Sequence, residues 1–402
     1  MSRYRALALL LSLVVVACAS PASDATESPG QARASGLPAG PATSEQVLHG
    51  RALVISHACG DCHGGGSNPA APGWLAGARD DFPGDAWNGD TAWAKNLTPD
   101  DETGSGRYSA RQIFNALRYG LRPSATPDVE ITSSVPGQGN HPSSPDYLSP
   151  IMPWMAWRYM ADAELWAIAA YLKHGVNPVV HRVRQSQGPP DKWASEFAPE
   201  RIGTHVLPEF PTEQEQLLVP ERREQVLRGR RLVASLDCSG CHGGAHSPGQ
   251  RAGWLSGSRP EMAAFGVFQI GPWATYPRNL TPHNTTGMGR FSERQIFNAL
   301  RYGLRPGETP DVEITSSVPG QGNHPASPKY LAIPMPWPAW RHLPDQDLWD
   351  IAAYLKLGVK PVANRVTDSD GPPDFWASFY TPEAIGPLPA VPFPTANERS
   401  LR

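Results

Sequence analysis

Two short stretches, Cys59-Gly60-Asp61-Cys62-His63 and Cys238-Ser239-Gly240-Cys241-His242, share one spacing, C-x-x-C-H, and each sits in a near-copy of the same longer unit. Glu45-Gln46-Val47-Leu48 returns as Glu224-Gln225-Val226-Leu227. The run from Arg111 to Pro123 returns unchanged from Arg294 to Pro306, and that from Pro127 to Pro142 from Pro310 to Pro325. The tails match as well: Gly188-Pro189-Pro190-Asp191 with Trp193 becomes Gly371-Pro372-Pro373-Asp374 with Trp376. The offset between copies grows from 179 to 183 residues, so four residues are inserted after the second motif. A fixed repeat of this kind means that one structural unit is built twice.

The motif itself points to chemistry. Two thiols one helical turn apart can each add to a vinyl group of one porphyrin, and the following imidazole then lies under the ring, where it can bind iron. C-x-x-C-H is the attachment pattern of a c-type haem. The competing readings of a C-x-x-C are a redox disulfide and half of a zinc site, but here His follows directly and neither half holds further cysteines to complete a zinc site. Two covalently bound haems c are expected, on Cys59, Cys62 and His63 and on Cys238, Cys241 and His242.

Of the five cysteines, the haem motifs take four. The fifth, Cys18, ends an export signal: Arg3 and Arg5 form a charged start, and Ala6 to Val16 is an apolar run too short to span a bilayer. The sequence Val15-Val16-Ala17-Cys18 resembles a bacterial lipoprotein signal, with Cys18 as the lipidated residue, while Ala17-Cys18-Ala19 also fits ordinary cleavage after Ala19. Either way the protein is exported. The expected organisation is a signal peptide over 1–18 and a Pro-, Ala-, Ser- and Gly-rich tether over 19–43. The first domain follows over 44–212, then a linker over 213–222 and the second domain over 223–395. A lipid anchor would hold the chain on the periplasmic side of a bacterial membrane. The net charge of −3 offers no basic surface for nucleic acid. The one basic cluster, Arg222, Arg223, Arg228, Arg230 and Arg231, reads as a solvated helix face.

Within each unit the pattern is helical. An opening helix carries Val47, Leu48, Leu53 and Val54, with Gly50 or Gly229 in its middle, where a close helix crossing would account for glycine. A middle helix starts at the capping box Ser109-x-x-Gln112 or Ser292-x-x-Gln295 and stops at Gly120 or Gly303. A last helix lies near Asp162–His174 or Asp345–Leu357. No alternation of useful length suggests strands, and 44 Pro with 38 Gly require long, turning connections. The fold class read from this is all-α, in two domains with long Pro/Gly-rich loops.

The second axial ligand emerges from comparing the copies. Six methionines lie beyond Met1, and only Met152 and Met335 match, in Met152-Pro153-Trp154 and Met335-Pro336-Trp337. They are the expected distal ligands, following the Met/His pattern of cytochromes. The alternative is His141 and His324, the only other histidines found in both copies, in the repeated Gly-Gln-Gly-Asn-His-Pro loop. These would give a low-potential bis-imidazole haem, or else bond to a propionate or a loop carbonyl.

With the haem motif, the run Asn96-Leu97-Thr98-Pro99-Asp100-Asp101-Glu102-Thr103-Gly104-Ser105-Gly106 and the stretch Tyr147 to Trp154 leading into Asp162 to Tyr171 resemble a known family. They are similar to the class I cytochrome c domains of the multi-haem cytochrome subunits of bacterial membrane-bound dehydrogenases. The resemblance covers about Gln46 to Leu172 and Gln225 to Leu355. It implies tandem class I cytochrome c domains, Met152 and Met335 as iron ligands, and a crossing of opening and last helices that places Gly50 near Trp166 or Ala170. Where the family commonly has Trp near a propionate, this chain has Tyr108 and Phe291. The function read from all this is electron relay between redox protein partners, a dehydrogenase and a terminal oxidase or another cytochrome, without catalysis of its own. The rival is a dihaem peroxidase or related oxidase, which should treat its two haems differently.

Overall fold

Thr43 opens the first helix: its hydroxyl accepts from the Gln46 N–H, and the Gln46 side chain accepts from the Thr43 N–H. This reciprocal cap satisfies two amides that a helix start leaves unpaired. Helix α1, Ser44–Ser56, buries Val47, Gly50, Leu53, Val54 and Ile55, together with Arg51 and Ser56. The computed structural model describes residues 41–78, 85–87, 90–186, 197, 206–244, 248, 252–258, 267–369 and 373–401. Cys18, the signal and tether, and Gly188-Pro189-Pro190-Asp191 with Trp193 lie outside the described residues.

Helix α2 is Cys59–His63, followed by strands β1, Asp85–Trp87, and β2, Asp90–Ala92, then helices α3, Ala110–Tyr119, α4, Trp154–Trp157, and α5, Asp162–Ala170. A π-helical turn, Tyr171–Gly175, prolongs α5. The order then recurs: α6, Arg223–Ser235, α7, Cys238–His242, β3, Phe268–Ile270, β4, Trp273–Thr275, α8, Glu293–Tyr302, α9, Trp337–Trp340, and α10, Asp345–Leu357. A short α11, Pro382–Ile385, comes last. The chain is helix-rich but not purely α, which corrects the all-α expectation: each half carries a two-stranded antiparallel hairpin, with Asp85 opposite Ala92 and Phe268 opposite Thr275. Strands of three residues are too short to show alternation. No described helix is long and apolar enough to cross a membrane.

The helix crossing is tight. A Cβ on Gly50 would lie 1.9 Å from the Ala167 carbonyl oxygen, and one on Gly229 would lie 1.9 Å from that of Asp350. Contact at this range explains a residue that costs a helix interior about 1 kcal/mol against alanine. The neighbours are Ala167 and Tyr171, each one residue along from the expected Trp166 and Ala170.

Helices α3 and α8 begin and end as read, with Ser109 and Ser292 as caps and Gly120 and Gly303 left-handed at φ 69°. These glycines also leave room for an indole, since a Cβ there would lie 2.1 Å from Cε2 of Trp154 or Trp337. One face of α3 is polar because it holds the loop beside it. Gln112 Nε2 donates to the carbonyls of Pro123 and Thr126, Asn115 Nδ2 to Val129, and the Tyr119 hydroxyl to Ile131. Gln295, Asn298 and Tyr302 repeat the pattern on Pro306, Thr309, Val312 and Ile314. The bonds of Asn115 and Tyr119, and of Asn298 and Tyr302, join the two segments that the chain repeats without change.

All the described residues lie in one compact unit, and the chain segments between and after the halves are part of their cores. Residues 213–222, expected as a linker, include Glu215, which is buried. It accepts from Arg230 Nε at 3.1 Å and from the Tyr354 hydroxyl, and its backbone bridges to Val359. Past residue 395, where the second domain was expected to end, Glu398 does the same for the first half. It accepts from Arg51 Nε and from the Tyr171 hydroxyl, each at 2.6 Å, and bridges to Val176. The basic cluster is likewise more than a solvated face: Arg230 is buried on Glu215, Arg222 pairs with Glu293 and Arg228 with Asp350.

Candidate haem-binding sites

In each half the C-x-x-C-H run forms one short helix, so its two thiols stand a turn apart and the histidine closes the turn. The His63 ring is fixed by Nδ1, 2.6 Å from the Lys95 carbonyl oxygen, and the His242 ring by Nδ1, 2.6 Å from that of Arg278. A carbonyl can only accept, so the proton sits on Nδ1 and the Nε2 lone pair is left to bind a metal. Metal-ligating histidines are oriented by such an outer bond. Burial favours the neutral ring, against the weaker pull of the carbonyl: His63 is held below the ordinary imidazole range and His242 falls to about 4. The histidine backbone is held too, with the N–H of Gly77 on the His63 carbonyl and that of Gly257 on the His242 carbonyl, both at 2.7 Å.

The shifts of three of the four thiols run against redox-disulfide chemistry. Burial, then the neighbouring Cys62 and Asp61, push Cys59 up to about 12, and burial with Asp237 pushes Cys241 up to about 12. Cys238 is raised further still, chiefly by burial. A catalytic C-x-x-C thiol is shifted the other way. Among the described residues no three His, Cys, Asp or Glu side chains converge as a zinc site requires. The donor set fits a porphyrin instead: two thiols on one helical turn, an imidazole whose Nε2 is left for a metal, and apolar clusters packed at Cys59 and Cys238.

Met152 and Met335 are half-buried. Met152 packs against the same core cluster as Cys59, and Met335 against the cluster that contains Cys238. Each begins a turn closed by the N–H of Trp154 on the Met152 carbonyl, or of Trp337 on that of Met335, at 2.8 Å. An arginine of the middle helix clamps the segment between this turn and the last helix. Arg118 donates to the carbonyls of Arg158 and Met160 and pairs with Asp162; Arg301 does so to Arg341, Leu343 and Asp345. His141 and His324 are buried, edge-on to Tyr119 and Tyr302, with Nδ1 3.2 Å from the carbonyl oxygen of the next residue, Pro142 or Pro325. Their contacts are with the loop and the middle helix.

Several residues of the site escaped the sequence reading. Trp74 and Trp254 are almost fully buried, and each indole N–H donates to a tyrosine hydroxyl, Tyr171 at 2.9 Å and Tyr354 at 3.0 Å. The carbonyls of Lys95 and Arg278 are backbone atoms with no side-chain signature. The repeated Gly-Trp-Leu at 73–75 and 253–255, and the repeated Asn-Leu-Thr-Pro at 96–99 and 279–282, were the available clues.

This geometry suits the attachment of a haem c, and the comparisons with known proteins find similarity to cytochrome c subunits. The chain is a relative of the cytochrome c subunits of dehydrogenases, at modest identity. It is 27% identical over 290 residues to the gluconate 2-dehydrogenase cytochrome c subunit of Pantoea cypripedii, covering 70% of this chain and 54% of that protein. It is 24% identical over 267 residues to the cytochrome c subunit of the quinone alcohol dehydrogenase of Gluconacetobacter polyoxogenes, covering 66% and 47%. It is 29% identical over 140 residues to the fructose dehydrogenase cytochrome subunit of Gluconobacter japonicus, covering 35% and 22%. The chain thus spans about half the length, or less, of these relatives. No family model matches it.

Proposed function

We propose that this chain is a dihaem c-type cytochrome, built as two tandem class I cytochrome c domains, that relays single electrons between exported redox partners. A dehydrogenase would be the donor, and a terminal oxidase or another cytochrome the acceptor. The observation that carries the proposal is the pair of C-x-x-C-H helices whose histidines are held by the same Nδ1-to-carbonyl bond at the same 2.6 Å. Bound haem supplies one-electron iron chemistry. The chain's own part is to attach it through Cys59 and Cys62 or Cys238 and Cys241, to present Nε2 of His63 or His242, and to close the far side with Met152 or Met335. A dihaem peroxidase needs one half open and one closed, whereas here the two halves repeat each ligand and each supporting bond. A pyridine haemochrome assay on the purified protein should return two covalently bound haems per chain. One haem per chain would overturn the dihaem assignment.

The relatives' names as dehydrogenase subunits support a dehydrogenase partner. Cys18 is proposed as the site of a lipid anchor on the periplasmic side of a bacterial membrane. Acyl chains supply the membrane affinity in such an arrangement, so Cys18→Ser should move the protein from the membrane fraction to the soluble fraction. Unchanged sedimentation with membranes would show that something else retains it.

A further inference from the structure

We infer that Glu398, near the end of the chain, is a positioning residue for the haem-binding turn of the first half, and that Glu215 is its counterpart for the second. Each half's haem turn is then held by the segment that comes after the other half. The inference rests on the haem assignment and adds what sets the turn in place.

The connection is a buried line of four side chains. Arg51 Nε and the Tyr171 hydroxyl both donate to Glu398 Oε1 at 2.6 Å, and Trp74 Nε1 donates to the Tyr171 oxygen at 2.9 Å. Trp74 lies against the haem-binding turn: a Cβ on Gly65 would be 2.8 Å from its Cε3, and one on Gly60 2.6 Å from its Cζ3. The next residue, Leu75, donates to the Gly64 carbonyl at 2.9 Å. In the second half, Arg230 and Tyr354 meet Glu215, Trp254 donates to Tyr354, and a Cβ on Gly244 would be 2.9 Å from Trp254 Cε3. The tail also grips the approach to Trp74 directly, Asn397 Nδ2 donating to the carbonyls of Pro69 and Ala71 at 2.9 Å.

The order of donors matters. A tyrosine hydroxyl has one proton, and an ionised carboxylate can only accept. With Glu398 taking that proton, the Tyr171 oxygen is left to accept from Trp74, so the indole has one orientation. A glutamine at 398 is an uncharged, weaker acceptor, so it loosens the line at both the Tyr171 hydroxyl and Arg51. The two halves reach this control differently: 347 residues separate Arg51 from Glu398, whereas Glu215 lies 15 residues from Arg230 and 139 from Tyr354.

The test uses the full-length, haem-loaded protein and three variants, Glu398→Gln, Glu215→Gln and Tyr171→Phe. Hydrogen exchange read by mass spectrometry tracks peptides around His63 and around His242, and a potentiometric titration tracks the two haem potentials. Glu398→Gln should speed exchange around His63 by roughly tenfold, the scale of one bond to a charged group, and displace one potential. Glu215→Gln should act around His242 and displace the other. Tyr171→Phe, which keeps the Arg51–Glu398 pair, should reproduce the first pattern and carries the test if Glu398→Gln does not fold. Equal loosening of both turns, or no change at either turn, would overturn the inference. Failure of the cytochrome reading is seen separately, as the absence of covalently bound haem from the unaltered protein.

Discussion

Arg51→Met should lower the unfolding free energy by about 3–5 kcal/mol, the cost of removing one partner from a buried ion pair. Arg51 is 8% exposed and Glu398 5%, so the carboxylate left behind has little water to replace the guanidinium. It keeps the Tyr171 hydroxyl and the Thr395 N–H, at 2.9 Å, but no cation. The arginine also ties the tail through the Val391 carbonyl at 2.8 Å and stacks 5.7 Å above the Phe393 ring. The double variant Arg51→Met/Glu398→Gln should recover part of the loss, because the unpaired charge is gone. Glu308→Gln, in a more exposed pair with Arg305, should change stability by less than about 1 kcal/mol. Denaturant midpoints of the haem-loaded proteins check the set. A loss for Arg51→Met no greater than for Glu308→Gln would show that the tail is merely laid on the surface.

How far the sequence was legible depends on the range of each interaction. The caps at Ser109 and Ser292, the stops at Gly120 and Gly303 and the tight crossing at Gly50 are local or leave a local mark, and each was readable. The duplication did further work, singling out Met152 and Met335 among six methionines. The hairpins were missed because three-residue strands carry no period. Glu215 and Glu398 were missed for a different reason. Each is one carboxylate in a polar segment, and only a partner far along the chain, or in the next half, makes it part of a core. The same holds for Arg230, which composition groups with its solvated neighbours and which folding buries.

Met335→Ala should convert one of two closed irons into an open one. The thioether is a soft ligand that favours ferrous iron, and the Met/His pair raises a haem's potential. Its loss should therefore lower one potential and leave the other, on the Met152 side, within the range of ordinary coupling. Arg301 still clamps the turn through Leu343 and Asp345, so the change should be confined to the ligand. If His324 were the ligand instead, Met335→Ala would be silent and His324→Ala would open the site. Carbon monoxide bound per chain, measured by titrating the reduced protein, tests the account most directly. The unaltered protein should bind none and Met335→Ala one. An unaltered protein that already binds carbon monoxide and turns over peroxide would contradict the closed electron carrier and establish the enzyme reading in its place.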